Sequence, residues 1–158
     1  IDISENYIWA VGGRHDGAYS SGQQGGRIYQ FNRRDWISYL DFADTSLNRV
    51  FDIVSVRINP ENEEEVLFGT WGSNMLQWVG TSPFKKIDEN NSALSERKAL
   101  NNWLGVGETE FDKDGNLWAA NTFTTKGLVV REKNGSWSSF DLTEYYSKPE
   151  TIFWLSSI

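Results

Sequence analysis

In Phe111-Asp112-Lys113-Asp114-Gly115-Asn116-Leu117-Trp118-Ala119, a cluster of polar turn-formers stands between two flanks of alternating apolar residues. Alternation with a period of two is the spacing of a half-buried strand, not of a helix. An Asp side chain accepts from backbone N–H groups two residues on, and Gly takes φ > 0 without steric cost, so this run predicts a tight antiparallel hairpin. Asn134-Gly135 predicts another. Helical character is confined to about Ser92 to Asn102, which Asn91, Asn101 and Asn102 limit to a short turn at most. Everything else reads as β.

The strand segments recur in one order with a period of roughly 50 residues, the length of a propeller or solenoid repeat. The first strand of a unit is Phe51 to Asn59, Trp103 to Asp112 and Thr151 to Ile158; the second is Tyr7 to Gly12, Val66 to Trp71 and Leu117 to Thr122. The third is Arg27 to Phe31, Asn74 to Val79 and Gly127 to Arg131. The fourth carries an aromatic-x-x-apolar pattern in Trp36-Ile37-Ser38-Tyr39, Phe84-Lys85-Lys86-Ile87 and Trp137-Ser138-Ser139-Phe140. Turns within a unit are short, and the longer joins (Ala43 to Val50, Asn90 to Asn102, Thr143 to Glu150) fall between units. A meander with long exits is a propeller blade.

The expected fold is therefore all-β, a β-propeller fragment of about three four-stranded antiparallel blades. Blade 1 covers about 1–42, blade 2 about 51–89 and blade 3 about 103–142. On this reading the opening unit has three strands, beginning at Tyr7, and the chain ends on a first strand, 151–158. That strand either pairs with a further blade of a larger propeller or closes the first unit. Open strand edges are adhesive, so the isolated chain is expected to self-associate through them.

Composition supports the β reading. Eight Trp, nine Phe and six Tyr stand beside a single Met, and aromatic residues favour strands. The 158 residues are enough for one domain with a real core. A net charge of −7, with basic residues scattered, argues against a nucleic-acid partner, which needs clustered Lys and Arg. No run approaches the ~20 apolar residues of a membrane-spanning helix. With no cysteine, disulfides are excluded and the redox compartment stays open.

Candidate chemistry is sparse. Asp112, Asp114 and Asn116 match the opening of a calcium loop, but Leu117 stands where Gly is required and Phe123 where a bidentate Glu is required, so no metal site is expected. His15 lies in a loop rich in Gly and Ser without a nucleophile elbow, and reads as a solvated loop residue. Gly22 to Gly26 lacks the Gly-Lys-Ser/Thr ending of a phosphate cradle. Glu61, Glu63, Glu64 and Glu65 read as a turn exposed to water. Glu108 and Glu110 share one face of an inner strand, and Arg57 occupies the position of Glu110 one unit earlier, which predicts an inter-blade ion pair, with a channel-lining ligand site as the alternative. Trp71, in Gly69-Thr70-Trp71-Gly72, reads as inter-blade packing, with a stacking platform for a sugar ring as the alternative. Trp71, Glu108, Glu110, Arg57 and His15 are thus the candidate ligand contacts, and no catalytic constellation or cofactor motif emerges.

At Asp112-x-Asp114-Gly115-Asn116-Leu117-Trp118, followed by Gly127-Leu128-Val129-Val130, the chain resembles the two-component regulator propeller repeat. Asp52-Ile53-Val54-Ser55-Val56, Asn59-Pro60-Glu61-Asn62, Gly69-Thr70-Trp71-Gly72 and Asn90-Asn91-Ser92, with Arg27-Ile28-Tyr29-Gln30-Phe31 and Trp36, are similar to the PorZ-like propeller proteins of Bacteroidetes. Asn59 stands where the repeat has Asp, Asn74-Met75-Leu76 replaces its Gly-Leu pair, and Arg14 to Gly26 is an expanded loop. The resemblance implies a non-enzymatic scaffold or recognition surface in a periplasmic or surface protein serving type IX secretion and surface attachment. Its implied partners are envelope or secretion proteins, with glycan or lipopolysaccharide reached through the parent protein. The alternative it implies is the periplasmic sensor domain of a hybrid two-component regulator that binds glycans. A glycan-active enzyme ranks third, since no catalytic group is found.

Overall fold

The computed structural model describes residues 1–13, 22–40, 43, 45–81, 83–97 and 103–145. They form three four-stranded antiparallel sheets, each a meander with neighbouring strands paired in chain order. The first comprises β1 (Asp2–Ile3), β2 (Ile8–Gly12), β3 (Arg27–Phe31) and β4 (Trp36–Leu40). The second comprises β5 (Ile53–Asn59), β6 (Asn62–Thr70), β7 (Met75–Val79) and β8 (Lys85–Ile87). The third comprises β9 (Gly105–Phe111), β10 (Leu117–Thr122), β11 (Leu128–Arg131) and β12 (Trp137–Phe140). One 3-10 turn, Thr45–Leu47, lies in the join between the first two sheets, whereas Ser92 to Arg97 forms no helix.

The structure corrects two expectations. The opening unit is four-stranded: Asp2 pairs with Trp9 and Ile3 with Ile8, so β1 supplies the inner strand. A two-residue strand shows no periodicity, which is why the sequence pattern passes over it. The segment 151–158, for which closing the first unit was one of two expected roles, lies outside the described residues, as does His15. Second, only Glu61 of the acidic run lies in the exposed turn; Glu63, Glu64 and Glu65 belong to β6. Asn59 Oδ1 accepts from Glu61 N at 2.9 Å and tightens the reversal, so the chain is already extended at Asn62, with Glu65 half-buried, Glu63 accepting from Asn6 at the surface and Glu64 exposed.

Strand alternation sends the residues of the middle sheet to both sides. Val66 and Phe68 join Trp9, Ile28, Val56, Trp78 and Phe84 in a cluster between the first and second sheets. Leu67, one residue away, joins Met75, Leu104, Val106, Leu117 and Val129 between the second and third. The first cluster is largely aromatic, with Trp78 and Phe84 ring centroids 5.0 Å apart and Trp9 and Trp78 5.8 Å apart. Each large side chain so buried contributes about 2–3 kcal/mol, far more than any exposed ion pair. Close approach is enforced at Gly69, where a Cβ would lie 2.6 Å from the Val106 carbonyl oxygen of the next sheet.

The hairpin between β9 and β10 is closed by one carboxylate. Asp112 accepts from the backbone N–H of Asp114 and of Asn116, from Asn116 Nδ2 and from Trp118 Nε1, each at 2.9 Å. Gly115 takes φ 84° within the turn. The Trp118 indole, followed by the Asn116 and Asp114 donors, outweighs partial desolvation and holds the Asp112 carboxyl down to about 2. Among the described residues no helix is long and apolar enough to cross a membrane.

Candidate functional site

The inner strands β1, β5 and β9 meet at the Arg57 guanidinium. Its Nη2 lies 2.6 Å from Glu110 Oε2 and 4.0 Å from Glu108 Oε1, and its Nη1 lies 3.6 Å from Asp2 Oδ1. Arg57 Nε also donates to the Thr109 carbonyl at 3.2 Å, and Asp2 Oδ2 accepts from Ile58 N at 2.7 Å. One cation thus ties a strand from each of the three sheets. The Arg57–Glu110 pair follows from aligning the repeats; Asp2 does not, because it sits in the strand that periodicity misses. A cavity of about 610 Å³ opens beside this cluster, lined by Asp2, Arg57, Asn59, Glu61, Glu63 and Glu110. Among the described residues no group of three or more His, Asp or Glu side chains is arranged to hold a metal ion.

A second inter-sheet link was not anticipated. Glu65 Oε1 lies 2.7 Å from Arg131 Nη1 and accepts from Gln77 Nε2 at 2.6 Å, while Oε2 accepts from Asn59 Nδ2 at 2.6 Å. Burial by itself would raise the Glu65 carboxyl, but the hydrogen bonds from Arg131 and Asn59 outweigh it and hold it below the ordinary range. The signal available in the sequence was positional: Glu65 directly precedes Val66, as Asn116 directly precedes Leu117, at the start of a second strand. Glu61 and Lys133 form a more exposed bridge between the same two sheets at 2.7 Å.

Trp71 lies at the other end of the strands. It is 2% exposed, with its ring edge-on to Trp103 at 6.1 Å and to Phe123 at 5.7 Å. The ring is buried among protein side chains, as inter-blade packing requires and an open platform for a sugar does not. Trp103 and Phe123 meet at 5.3 Å, and Arg97 lies over the Phe123 ring at 4.8 Å. A cavity of about 510 Å³ adjoins this group. Nearby, the N–H groups of Gln23 and Gln24 donate to the buried Asp52 carboxylate at 2.9 and 3.0 Å. Those donors of the Gly-rich loop are thus taken by an acid of the chain itself and are not offered to a phosphate.

Three meandering four-stranded sheets, stacked face to face with inner strands side by side, define a β-propeller type of fold in open form. Among solved structures it is similar to PorZ of Porphyromonas gingivalis, described as an essential bacterial surface component of the type-IX secretion system. The TM-score is 0.76 at 18% sequence identity, over 87% of this chain and 19% of PorZ. The chain therefore spans about a fifth of that protein, and the likeness is one of fold. No protein-family model and no curated protein matches the chain.

Proposed function

We propose that this chain is a non-enzymatic propeller segment of a cell-envelope protein, acting as a scaffold or recognition surface in type IX secretion and surface attachment. The observation that carries the reading is the superposition on PorZ across 87% of the chain. Two ionic links between the second and third sheets, Arg57–Glu110 and Glu65–Arg131, and the Arg57–Asp2 contact to the first sheet are in keeping with a scaffold built from joined sheets. The blades are taken as about 1–42, 51–89 and 103–142, in a periplasmic or surface protein of a Bacteroidetes bacterium. Its partners on this reading are other envelope or secretion proteins.

The test is deletion of the encoding gene in the source bacterium, with the secreted fraction of type IX cargo measured. Cargo should accumulate in the periplasm and return to the surface on complementation. Normal secretion together with a lost transcriptional response to glycans would overturn this proposal in favour of a periplasmic sensor.

A further inference from the structure

The pocket beside Phe123 combines features that packing alone does not require. It lies between the join that follows the second sheet, which supplies Ser95 and Arg97, and the turn after β10, which supplies Phe123, Thr124 and Lys126. Phe123 has φ 60°, a left-handed conformation that a bulky side chain adopts only under constraint. That conformation places its ring beneath the Arg97 guanidinium.

Arg97 is fixed from both sides. Its own N–H donates to the Trp103 carbonyl at 2.8 Å. Two residues earlier, Ser95 N donates to the buried Asn121 side chain at 2.7 Å, and Asn121 Nδ2 returns a bond to the Ser95 carbonyl at 3.1 Å. Yet among the described residues the guanidinium forms no ion pair; its side-chain partner is the Phe123 ring. In a chain with 22 acidic and 15 basic residues, a half-buried arginine at a cavity, with no carboxylate of the described residues in ion-pair contact with it, is unexpected. Lys126 adds a second positive charge at the rim, although it also faces Asp141, which leaves Arg97 as the principal cation. Glu96 is the acid in the lining, so the pocket carries a net positive charge within a protein of net charge −7.

We propose that this pocket binds a carboxylate-bearing ligand. Arg97 presents its planar fork of N–H donors to the carboxylate, Phe123 supports the guanidinium, and Ser95 belongs to the same lining, whereas the Thr124 hydroxyl is already engaged with the Asn121 carbonyl at 3.5 Å. A fork held over an aromatic ring has lost its rotamer freedom beforehand, and the two parallel bonds it offers match a carboxylate better than they match a spherical anion. A cavity of about 510 Å³ suits a small dicarboxylate or one acidic side chain of a peptide. The site lies away from the Arg57 cluster and does not depend on the secretion reading.

The experiment is a titration of the intact protein with glutarate, an acetylated tri-glutamate peptide, its tri-glutamine counterpart and inorganic phosphate. Binding is followed by calorimetry and by the fluorescence of Trp71 and Trp103, whose rings touch Phe123. Saturable binding of glutarate or tri-glutamate is expected, with none for tri-glutamine. Binding should weaken about tenfold or more in Arg97→Gln and less in Arg97→Lys, which keeps charge but loses the fork. Lys126→Gln, at an exposed position that folding tolerates, should weaken binding about two- to threefold through lost charge. Equal binding of both carboxylates identifies a small ligand, and binding of the peptide alone identifies an acidic segment of a partner. The proposal is overturned by absence of saturable carboxylate binding to the wild type, by phosphate binding more tightly than either carboxylate, or by an affinity that neither Arg97→Gln nor Lys126→Gln changes.

Discussion

Asn59 donates its side-chain amide to Glu65 at 2.6 Å, the reverse of the bond in the next sheet, where Asn116 donates its amide to Asp112 at 2.9 Å. Both pairs close the hairpin between the first and second strands, directly before Val66 and Leu117, which pair with Ile58 and Phe111. Acid and amide have exchanged places. The exchange moves the negative charge from the first strand to the second, where Arg131 of the third sheet reaches it. A departure from the repeat pattern at Asn59 is thereby coupled to an inter-sheet bridge.

Breaking that bridge from either side leaves a half-buried charge unpaired. Arg131→Met and Glu65→Gln should each lower stability by about 2 kcal/mol, below the range for fully buried pairs because some solvent reaches this one. The double variant should recover part of the loss, giving a coupling of about 1 kcal/mol in urea denaturation. Additive losses would show that the pair does not interact.

Arg57→Met should cost about 1 kcal/mol. The ion cluster at Arg57 is roughly a quarter exposed, so solvent and salt screen it, and the effect should shrink as salt is raised toward 1 M. An unchanged melting temperature at low salt would remove Arg57 from any role in joining the sheets.

The Asp112 carboxyl is held down to about 2 from 3.8, so the folded state binds its proton less readily than the unfolded chain. Its contribution is complete above about pH 4 and is lost as pH falls toward 2. Glu65, also depressed, acts in the same direction beginning near its ordinary value of 4.5. Asp112→Ala should cost about 2 kcal/mol at pH 7, through several donors left without their charged acceptor. Asp112→Asn should flatten the fall in stability between pH 4 and pH 2, read from urea midpoints across that window. A slope as steep as that of the wild type would assign the acid sensitivity to other groups.

Gly69→Ala should destabilise by about 2–3 kcal/mol, since the new methyl would meet the Val106 carbonyl and β6 would have to withdraw from β9. The urea midpoint should fall with little change in the denaturant slope. Retention of wild-type stability would mean that the second and third sheets have room to part.

Strand order was legible because its signals are local. Alternation over a few residues marks β5, β6, β7, β9 and β10, and the Asp112–Asn116 and Asn134-Gly135 turns are written in their own side chains. The Arg57–Glu110 pair was legible for a different reason: repetition carries one strand position onto the next, so two residues 53 positions apart, 110 minus 57, could be placed side by side. Asp2 fell outside that argument, because a strand of two residues gives no period to align.

What the sequence by itself determined is the repeating antiparallel sheet, since period, turn chemistry and aromatic content act within a few residues of one another. Which side chains meet between sheets was decided by the tertiary structure, because contact there depends on the stagger and twist with which one sheet lies on the next. Glu65 meets Arg131 across 66 residues of chain, the Trp71 ring packs at a steep angle to Trp103 and Phe123, and Arg97 comes to rest over the Phe123 ring. No local pattern encodes those distances; the packing of whole sheets sets them.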